Sequence, residues 1–557
     1  MARTVAIGIQ DFETIRRKDL FYVDKTGFIK DWWNSGDAVT LLTRPRRFGK
    51  TLTMSMMDCF FSYRYAGRRD LFEGLAVWED GKMRELQGAY PVINLSFANV
   101  KETDFHGAVT EISRVMAEAY RAHMELLDSD KLFSEEKEEF HRKCVKITEQ
   151  ETKRAVNELA EQLYRHYGKK VLIFLDEYDT PMQEAYVNGY WKELAGFMGS
   201  LFNSTFKTNP YLERAIITGI TRVARESMFS DMNNLRIVTM TSNQYASYFG
   251  FTEKEVFDSM DEQGLENKGE VKAWYDGFIA GNIPDIYNPW SIIHYLSDGE
   301  CKPYWANTSS NKLASILMAE SKPDLKEDFE LLMEGEPIWV KIDEETTFGE
   351  LRGKSAAVHS LLLASGYYKI LSVQKDGKYQ LALTNREAYI SFERVIQGWF
   401  DEAEYDYNEF VRNLLAGDLE EMNAYMNQIA LTVISDFDSG SKPSVFSAPE
   451  KFYHGLVLGL LVDLRDNYEV KSNRESGFGR CDVMIVPRKT DDNKDAILME
   501  FKVNNPKEET DLQATVEAAL AQIERKRYAA ELVEKGFPEE RIRKYGFAFQ
   551  GKRVLIG

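Results

Sequence analysis

The chain has 557 residues, of which 44% are hydrophobic and 29% are charged, and its formal net charge is −19. These values are ordinary for folded soluble proteins, so they exclude a disordered chain, a collagen and a coiled coil, and the length predicts two to four domains. No segment approaches the roughly 20 apolar residues of a membrane helix, and the first residues lack the order of a signal peptide. We therefore expect a cytoplasmic protein. The four cysteines, at positions 59, 144, 301 and 481, are too widely spaced for a disulfide framework or a zinc knuckle, and we expect buried thiols.

The acidic charge is unevenly distributed along the chain. Residues 441–557 contain 20 Lys and Arg against 19 Asp and Glu, so the excess acid lies in the first 440 residues. Phosphate contacts need local cations, and a net charge of −19 opposes extended coating of nucleic acid. A nucleic-acid site in this protein is therefore expected to be a restricted basic groove.

Short apolar, β-branched runs at residues 38–43, 91–97, 171–175 and 215–218 alternate with longer segments of helical periodicity. This alternation predicts an α/β domain with a parallel sheet over residues 1–235. Residues 236–400 have helical segments and aromatic clusters, which predicts a mostly helical middle or lid region, followed by a connecting helical segment over 401–440. Residues 441–557 run helix, strand, turn, strand, helix, strand, which predicts a small α/β domain.

The first motif follows the first predicted strand. Residues 44–51 read RPRRFGKT and precede a helical segment, which is the context of a phosphate loop. Backbone N–H groups at the helix N-terminus can bind phosphate oxygens, Lys50 can reach the β and γ phosphates, and the Thr51 hydroxyl can ligate Mg²⁺. The spacing matches GxxxxGK[ST] except that Arg44 stands at the first glycine, and a basic turn that caps a helix is the alternative for this motif alone. The predicted nucleotide-binding residues of the loop are Arg44, Arg47, Phe48, Gly49, Lys50 and Thr51.

Two further strand ends carry polar residues. The strand at 171–175 ends in Asp176, which can hold the Mg²⁺ water shell, and Glu177, which can polarise an attacking water, as in a Walker B motif. The strand at 215–218 ends in Thr218, and either Thr218 or Thr221 is a candidate sensor of the γ-phosphate. Arg222 and Arg225 are candidates to neutralise charge in the transition state, although surface ion pairing explains these arginines equally well.

A third pattern lies near the C-terminus, with Asp482 in one apolar strand and Glu500 and Lys502 in the next. A hairpin that turns about residues 491–492 places Asp482 opposite Glu500 to within one residue, at roughly 5 Å. Two facing carboxylates form a hard-oxygen site for a divalent cation, and Lys502, on the same face, can hold the attacking water or stabilise the phosphorane charge. A chance hairpin with surface Asp, Glu and Lys is the alternative.

Two predicted helices flank this hairpin. Glu450 begins a helix predicted over 450–464 and can add a carboxylate to the metal site. A helix predicted over 513–535 carries Gln522 and Lys526 on one face. The predicted nucleic-acid contacts are Gln522, Arg525, Lys526 and Tyr528.

With these residues in place, the chain resembles a family of bacterial proteins that pair an N-terminal AAA-ATPase-like domain with a C-terminal PD-(D/E)XK nuclease domain. In that family the first loop glycine is ordinarily arginine, so Arg44 does not indicate a dead site. The resemblance implies a P-loop fold of the ASCE or AAA type, a restriction-endonuclease-like core carried by Asp482, Glu500 and Lys502, and ATP and Mg²⁺ as cofactors, with Mn²⁺ as an alternative at the nuclease site. The motifs that carry it are residues 7–12, 22–26 (YVDKT), 44–51, 175–179 (LDEYD), 218–220 with 229–235, 274–278 (WYDGF), 287–291 (YNPWS) and 307–309 (NTS).

Three functions agree with these motifs. The first is an ATP-driven or ATP-gated nuclease that acts on DNA in preference to RNA, in defence or DNA processing, either as a single chain or as a homo-oligomer. The second is a nucleotide-dependent switch whose last domain binds nucleic acid or partners without cleaving. The third is a nuclease whose phosphate loop binds nucleotide structurally. The WYDGF and YNPWS segments have no evident chemistry, and we interpret them as aromatic packing.

Overall fold

The computed structural model divides the chain into two compact units, residues 1–317 with 339–391 and residues 318–338 with 392–557. In the part of the chain that the structure describes, no helix combines the length and the apolar character that a membrane span needs. The structure describes residues 2–220, 228–229, 232–305, 312–319, 323–333, 335–343, 351, 354–401, 407–433, 457, 461, 464, 468–476, 479–488, 494–504, 511–550 and 553–557.

The first unit contains a five-stranded sheet in the order β2-β3-β4-β1-β5, in which all neighbouring strands are parallel. Every residue of β1 and β3 is buried, as expected for a parallel sheet covered on both faces. The predicted N-terminal parallel-sheet domain is confirmed. The strands are β1 (Val39–Thr43), β2 (Val92–Ser96), β3 (Val171–Asp176), β4 (Leu212–Gly219) and β5 (Leu235–Val238).

Nine helices of the described residues accompany this sheet. The helices at Phe105–Arg121 and Glu149–Tyr167 each bury one apolar face, and Thr148 and Glu151 form a reciprocal capping box at the start of the second. The helices are α1 (Phe12–Arg17), α2 (Gly27–Ser35), α3 (Lys50–Phe61), α4 (Gly81–Arg84), α5 (Phe105–Arg121), α6 (Ser134–Val145), α7 (Glu149–Tyr167), α8 (Thr180–Asn188) and α9 (Trp191–Phe202).

The middle of the chain is mostly helical, as predicted, but it also contains two small sheets that the sequence pattern does not reveal, in the orders β6-β8-β7 and β10-β11-β9. Their strands have two to six residues, too short for a clear periodicity. The elements are β6 (Phe251–Thr252), α10 (Glu253–Gln263), α11 (Lys268–Tyr275), β7 (Phe278–Ala280), β8 (Ile283–Tyr287), α12 (Pro289–Asp298), α13 (Lys312–Ala319), α14 (Pro323–Met333), β9 (Ile338–Lys341), α15 (Ser355–Ser365), β10 (Tyr368–Val373), β11 (Lys378–Leu383) and α16 (Arg386–Asp401).

The C-terminal sheet has the order β12-β13-β14-β15-β16. Strands β14 and β15 are parallel and the other neighbours are antiparallel, so the sheet is mixed and the predicted α/β domain is confirmed. The elements are α17 (Tyr407–Ala416), α18 (Leu419–Val433), β12 (Tyr468–Ser476), β13 (Gly479–Pro487), β14 (Ala496–Val503), α19 (Leu512–Lys526), α20 (Ala530–Glu534), β15 (Ile542–Gln550) and β16 (Arg553–Ile556).

The single helix predicted over 513–535 is wrong, because the structure ends α19 at Lys526 and begins α20 at Ala530. Arg527 adopts a left-handed conformation with φ 55°, and its amide closes the helix on the carbonyl oxygens of the preceding turn. The turn buries the Tyr528 ring in a core cluster. Burial of an aromatic ring thus outweighs continued helix formation.

The outer edge of strand β16 is covered by two asparagines of α18. The Asn423 side chain donates to the Ile556 carbonyl (2.8 Å) and accepts from the Ile556 amide (2.7 Å). Asn427, one helical turn later, makes the same pair of hydrogen bonds with Val554, at 2.7 and 3.0 Å. These side-chain amides satisfy backbone groups that an edge strand otherwise exposes.

Of the four cysteines, those at 59, 144 and 481 are buried and Cys301 is partly buried. All four are free thiols. Burial raises the pKa of Cys301 to about 11, so this thiol is protonated at neutral pH.

Candidate nucleotide site and candidate nuclease centre

The phosphate loop joins β1 to α3 in the first unit. Gly49, at the start of α3, has φ 82°, a left-handed conformation that favours glycine. The Lys50 ammonium donates to the carbonyl oxygens of Arg44 and Pro45, each at 2.9 Å, so the side chain folds back along its own loop. Burial lowers the pKa of Lys50, while the nearby carboxylate of Glu177 opposes that shift. The loop therefore holds a buried cation beside a helix N-terminus, where a phosphate is favoured.

Thr51 and Asp176 meet at the carboxyl edge of the sheet. The Thr51 hydroxyl donates to Asp176 Oδ2 at 2.7 Å, and the Thr218 hydroxyl donates to Asp176 Oδ1. Burial raises the pKa of Asp176, although both hydroxyl hydrogen bonds act in the opposite direction. The hydroxyl and the carboxylate are hard oxygen donors within bonding distance of each other, so the residues present fit Mg²⁺.

Glu177 leaves the sheet in a left-handed conformation with φ 51°. Its amide donates to the Thr218 hydroxyl (3.4 Å), and its carboxylate accepts from the Thr180 hydroxyl (3.2 Å). Such backbone strain in a non-glycine residue costs about 1–3 kcal/mol and is concentrated at functional sites. Glu177 is half-buried and faces the same cavity as the phosphate loop.

A cavity of about 530 Å³ lies beside the loop. This volume lies within the range of small-molecule sites in proteins. Arg47, Gly49, Lys50 and Thr51 contribute its polar side, and Phe48 also lines it. Its apolar wall includes Ile15, Tyr22, Phe251, Trp290 and Ile293.

Arg44 lies beneath the loop and is fully buried. Its guanidinium donates to the carbonyl oxygens of Thr43 (2.8 Å) and Val238 (3.3 Å) and lies 5.3 Å from the centroid of the Phe249 ring. Burial lowers the pKa of Arg44 to about 9. Arg44 is not among the residues that line the cavity, whereas the other five predicted loop residues are.

The candidate nuclease centre lies on β13 and β14 in the second unit. Val483 pairs with Met499 and Ile485 with Ile497, and one further step in this register places Asp482 opposite Glu500. The predicted hairpin register is confirmed. Met499 and Phe501 lie in a core cluster on the opposite face, as the period of two requires.

Hydrogen bonds fix both carboxylates. Asp482 Oδ2 accepts from the Phe501 amide at 2.7 Å, which ties the side chain across the two strands. Glu500 is only 2% exposed, and its Oε1 accepts from the side-chain amide of Gln522 on α19. Lys502 is half-buried at the end of β14. Carboxylate oxygens on adjacent strands are the ligands a divalent metal prefers, so these residues fit the predicted metal.

The predicted nucleic-acid residues occupy the end of α19 and the turn that follows. Gln522 contacts Glu500 directly. Tyr528 is buried in a core cluster, so the predicted contact of its ring with nucleic acid does not agree with the structure. Burial raises the pKa of Tyr528, and a hydrogen bond with the Gln522 side chain opposes that shift. Arg525 is exposed and Lys526 half-buried. The predictions for Thr221, Arg222, Arg225 and Glu450 fall outside the described residues.

A sequence profile described as predicted AAA-ATPase matches residues 6–229, and the profile of the PD-(D/E)XK nuclease superfamily matches residues 448–557. The chain joins an AAA-ATPase-like domain to a PD-(D/E)XK nuclease-superfamily domain. The recognised architecture and the predicted fold class are therefore confirmed. An AAA-ATPase-like domain generally uses a nucleotide, a PD-(D/E)XK domain a divalent metal, and the nuclease domain implies a nucleic-acid substrate.

Three proteins to which this chain is similar share little sequence identity with it. An uncharacterized protein in the vnfD 5′ region of Azotobacter chroococcum mcd 1 is 26% identical over 408 residues, which cover 71% of this chain and 70% of that protein. A signal transduction ATPase (STAND) protein with a tetratricopeptide repeat sensor from Pyrococcus horikoshii aligns over 80% of this chain, at 11% identity and a TM-score of 0.22, and the chain spans about half (54%) of its length. The Aeropyrum pernix ORC2 protein, in ADPNP–ADP complexes, aligns over 70% of this chain and 94% of its own, at 10% identity and a TM-score of 0.23.

The AAA-ATPase-like domain has two loop contacts that sequence reasoning missed. The Asn288 side chain donates to the Arg46 carbonyl at 3.3 Å, and the Trp290 ring centroid lies 4.3 Å from the Arg47 guanidinium carbon. The Asn-Pro pair signals a helix start, and Asn288 does cap α12. No local pattern links that start to a loop 242 positions earlier.

Proposed function

We propose that this protein binds and hydrolyses ATP at its phosphate loop and cleaves phosphodiester bonds of nucleic acid, DNA in preference to RNA, at its C-terminal domain. The observation that carries the proposal is the 2.7 Å hydrogen bond between Thr51 and Asp176. It joins the loop that would hold phosphates to the strand end that would share the cation.

At the nucleotide site, Thr51 and Asp176 would hold Mg²⁺, which when bound supplies positive charge against the phosphate oxygens. The Lys50 ammonium donates hydrogen bonds of 2.9 Å to two loop carbonyl oxygens, and phosphate oxygens can replace these acceptors. Glu177 orients the attacking water and accepts its proton on a carboxylate oxygen. Thr218 positions both acids, because its hydroxyl bonds Asp176 and accepts from the Glu177 amide.

At the nuclease site, Asp482 and Glu500 would hold Mg²⁺ or Mn²⁺, which when bound supplies Lewis acidity toward the scissile phosphate. Gln522 orients the Glu500 carboxylate through its side-chain amide. Lys502 holds the attacking water or stabilises charge on the phosphorane. Arg525 and Lys526 belong to the proposal as residues near the nucleic-acid backbone, whereas the Tyr528 ring is buried in a core cluster and is left out of it.

The remaining predictions are part of the same proposal. The domain boundaries fall near residues 235, 400 and 440, Arg222 and Arg225 assist ATP hydrolysis, and Glu450 adds a carboxylate to the nuclease centre. The protein works in the bacterial cytoplasm, in defence or DNA processing, and a homo-oligomer is compatible with these roles.

The test uses the purified full-length protein with labelled linear and circular DNA and with RNA, each with and without ATP and with Mg²⁺ or Mn²⁺. We expect metal-dependent cleavage and ATP hydrolysis in the wild type. Lys50→Ala should abolish hydrolysis, and Asp482→Asn should abolish cleavage while hydrolysis without DNA is unchanged. If the wild type hydrolyses ATP but cuts no substrate under any of these conditions, the nucleotide-dependent switch replaces the nuclease.

A further inference from the structure

Arg47 has an unusual backbone conformation inside the phosphate loop. Its φ of 67° lies in the left-handed region, a strained conformation that a non-glycine residue keeps only where surrounding contacts impose it. The neighbouring Phe48 is buried and lies 4.8 Å, centroid to centroid, from the Phe278 ring in β7. The contacts that hold this loop thus include residues of the middle region.

Trp290, also in the middle region, contacts the Arg47 side chain. The guanidinium carbon lies 4.3 Å from the centroid of the indole ring, well inside the roughly 6 Å limit of a cation–π interaction. Trp290 stands at the start of α12, where Asn288 accepts from the Trp290 amide (2.9 Å) and donates to the Arg46 carbonyl (3.3 Å). One asparagine side chain therefore ties the Trp290 backbone to the loop.

The Arg47 side chain lies beside the candidate reaction site. Arg47 and Trp290 both line the cavity beside the loop, together with Glu177. Arg47 remains exposed, partial burial lowers its pKa, and the charge of the Glu177 carboxylate opposes that shift. A planar guanidinium at this position can bind phosphate oxygens with two N–H groups.

We propose that Trp290 is a positioning residue for the nucleotide reaction, because its ring holds the Arg47 guanidinium at the cavity wall where the nucleotide phosphates contact it. This inference rests on the proposed function. The YNPWS segment then has a role beyond packing, because it sets the affinity for ATP of a phosphate loop that lies far away in the sequence.

The experiment measures ATP binding by equilibrium dialysis with labelled ATP and Mg²⁺, and steady-state hydrolysis, for Trp290→Leu, Arg47→Met and the double variant. Loss of a cation–π contact worth about 1 kcal/mol predicts an increase of about fivefold in Kd and KM for Trp290→Leu, with kcat changed less than twofold. The double variant should bind no more weakly than Arg47→Met. Trp290→Phe, which keeps an aromatic face, should bind within about twofold of the wild type.

Trp33 provides the matched control. Its ring lies 4.6 Å from the Arg214 guanidinium carbon, it is also half-buried, and it does not line the cavity. Trp33→Leu should leave Kd and KM unchanged, whatever its effect on stability.

Equal ATP affinity in Trp290→Leu and Trp33→Leu would overturn the positioning role while leaving the proposed function intact. So would additive effects of Trp290→Leu and Arg47→Met, or tighter ATP binding by Trp290→Leu, since the latter means that Trp290 withholds Arg47 from the phosphates. A wild type that binds no ATP, with Lys50→Ala indistinguishable from it, would overturn the proposed function and this inference together. If Trp290→Leu does not fold, Trp290→Met, which also removes the aromatic face, supplies the same cycle in the wild-type and Arg47→Met backgrounds.

Discussion

The two candidate sites are assembled over very different distances along the chain. At the nucleotide site, the bonded residues Thr51 and Asp176 are 125 positions apart. Thr51 follows strand β1 and Asp176 ends strand β3, and β4 lies between these two strands in the sheet. At the nuclease site, Asp482 bonds the amide of a residue only 19 positions away, across a hairpin. The first site depends on the order of strands in a sheet, and the second depends on the register of one strand pair.

This difference decides which insertions and register shifts each site tolerates. A parallel sheet gathers polar residues at its carboxyl edge whatever the length of the connections between strands. A hairpin is less forgiving, because a shift of one residue moves every side chain to the opposite face. Asp482 is held against such a shift by its bond to the Phe501 amide.

The largest effect is expected at the nucleotide site, whose residues are brought together by the order of strands. Glu177→Gln should lower ATP hydrolysis by at least about 100-fold, because a general base contributes 10²–10⁴-fold, while ATP binding remains. Phosphate release and equilibrium dialysis measure the two quantities. Glu193→Gln, an exposed glutamate of α9, is the control and should hydrolyse ATP normally. Normal turnover by Glu177→Gln would remove Glu177 from the mechanism.

The substitution Lys502→Ala tests the nuclease site, whose residues are brought together by a hairpin register. Cleavage should fall by about 100-fold, because the water or the phosphorane charge loses its cationic partner, whereas metal binding should persist. Isothermal titration with Mn²⁺ and a gel cleavage assay report the two properties. Lys544→Ala, a lysine of the same sheet that pairs with Glu524 at 2.6 Å, should cut normally. Loss of metal binding together with cleavage would show that Lys502 supports the site structurally.

A third prediction concerns a buried carboxylate of the first unit that lies outside its cavity. Glu387 is 2% exposed, and it accepts hydrogen bonds from the Ser291 hydroxyl and the Trp305 amide. Burial raises the pKa of Glu387 from 4.5 to about 7. Between these values the folded state binds more protons than the unfolded state, so this group makes the protein less stable as the pH rises from 4.5 to 7.

Glu387→Gln removes this titration, so the variant should lose less stability than the wild type between pH 5 and pH 8. The expected difference is roughly 2 kcal/mol, measured as free energies of unfolding in urea at both pH values. The exposed Glu266→Gln variant should follow the wild type. Parallel pH profiles for wild type and Glu387→Gln would contradict the prediction.

The smallest effect is expected at the edge of the second sheet. Asn427→Ala leaves the Val554 amide and carbonyl without their partners, which should lower the free energy of unfolding of the second unit by about 1–2 kcal/mol. Urea unfolding followed by circular dichroism measures it. Glu420→Ala, at an exposed position of the same helix, should cost a few tenths of a kcal/mol. Equal losses in the two variants would mean that the edge contacts contribute little.

Features that depend on residues close together in the sequence could be predicted from the sequence. Buried parallel strands appear as continuous apolar runs, and a hairpin register follows from the position of its turn, which is how Asp482 and Glu500 were paired. The phosphate loop and the Asp176 strand end were found as separate motifs. Their direct contact follows from the strand order, which local pattern does not encode.

The features that escaped prediction depend on tertiary contacts. The end of α19 at Arg527 follows from burial of the next ring, whereas local propensity favours a continuous helix. The burial of Arg44 reflects acceptors supplied by Thr43 and Val238, the latter 194 positions away. The contact of Trp290 with Arg47 joins segments that share no sequence periodicity.

The asparagine pair on α18 has a consequence for handling the nuclease domain by itself. A fragment cut to the 448–557 match retains β16 but loses Asn423 and Asn427. Its outer strand would then present free backbone donors and acceptors to any second copy, which is the usual starting point of strand-to-strand aggregation. Soluble, monomeric fragments should therefore begin before residue 419, where α18 starts. Activity measured on shorter pieces would report on an associated species.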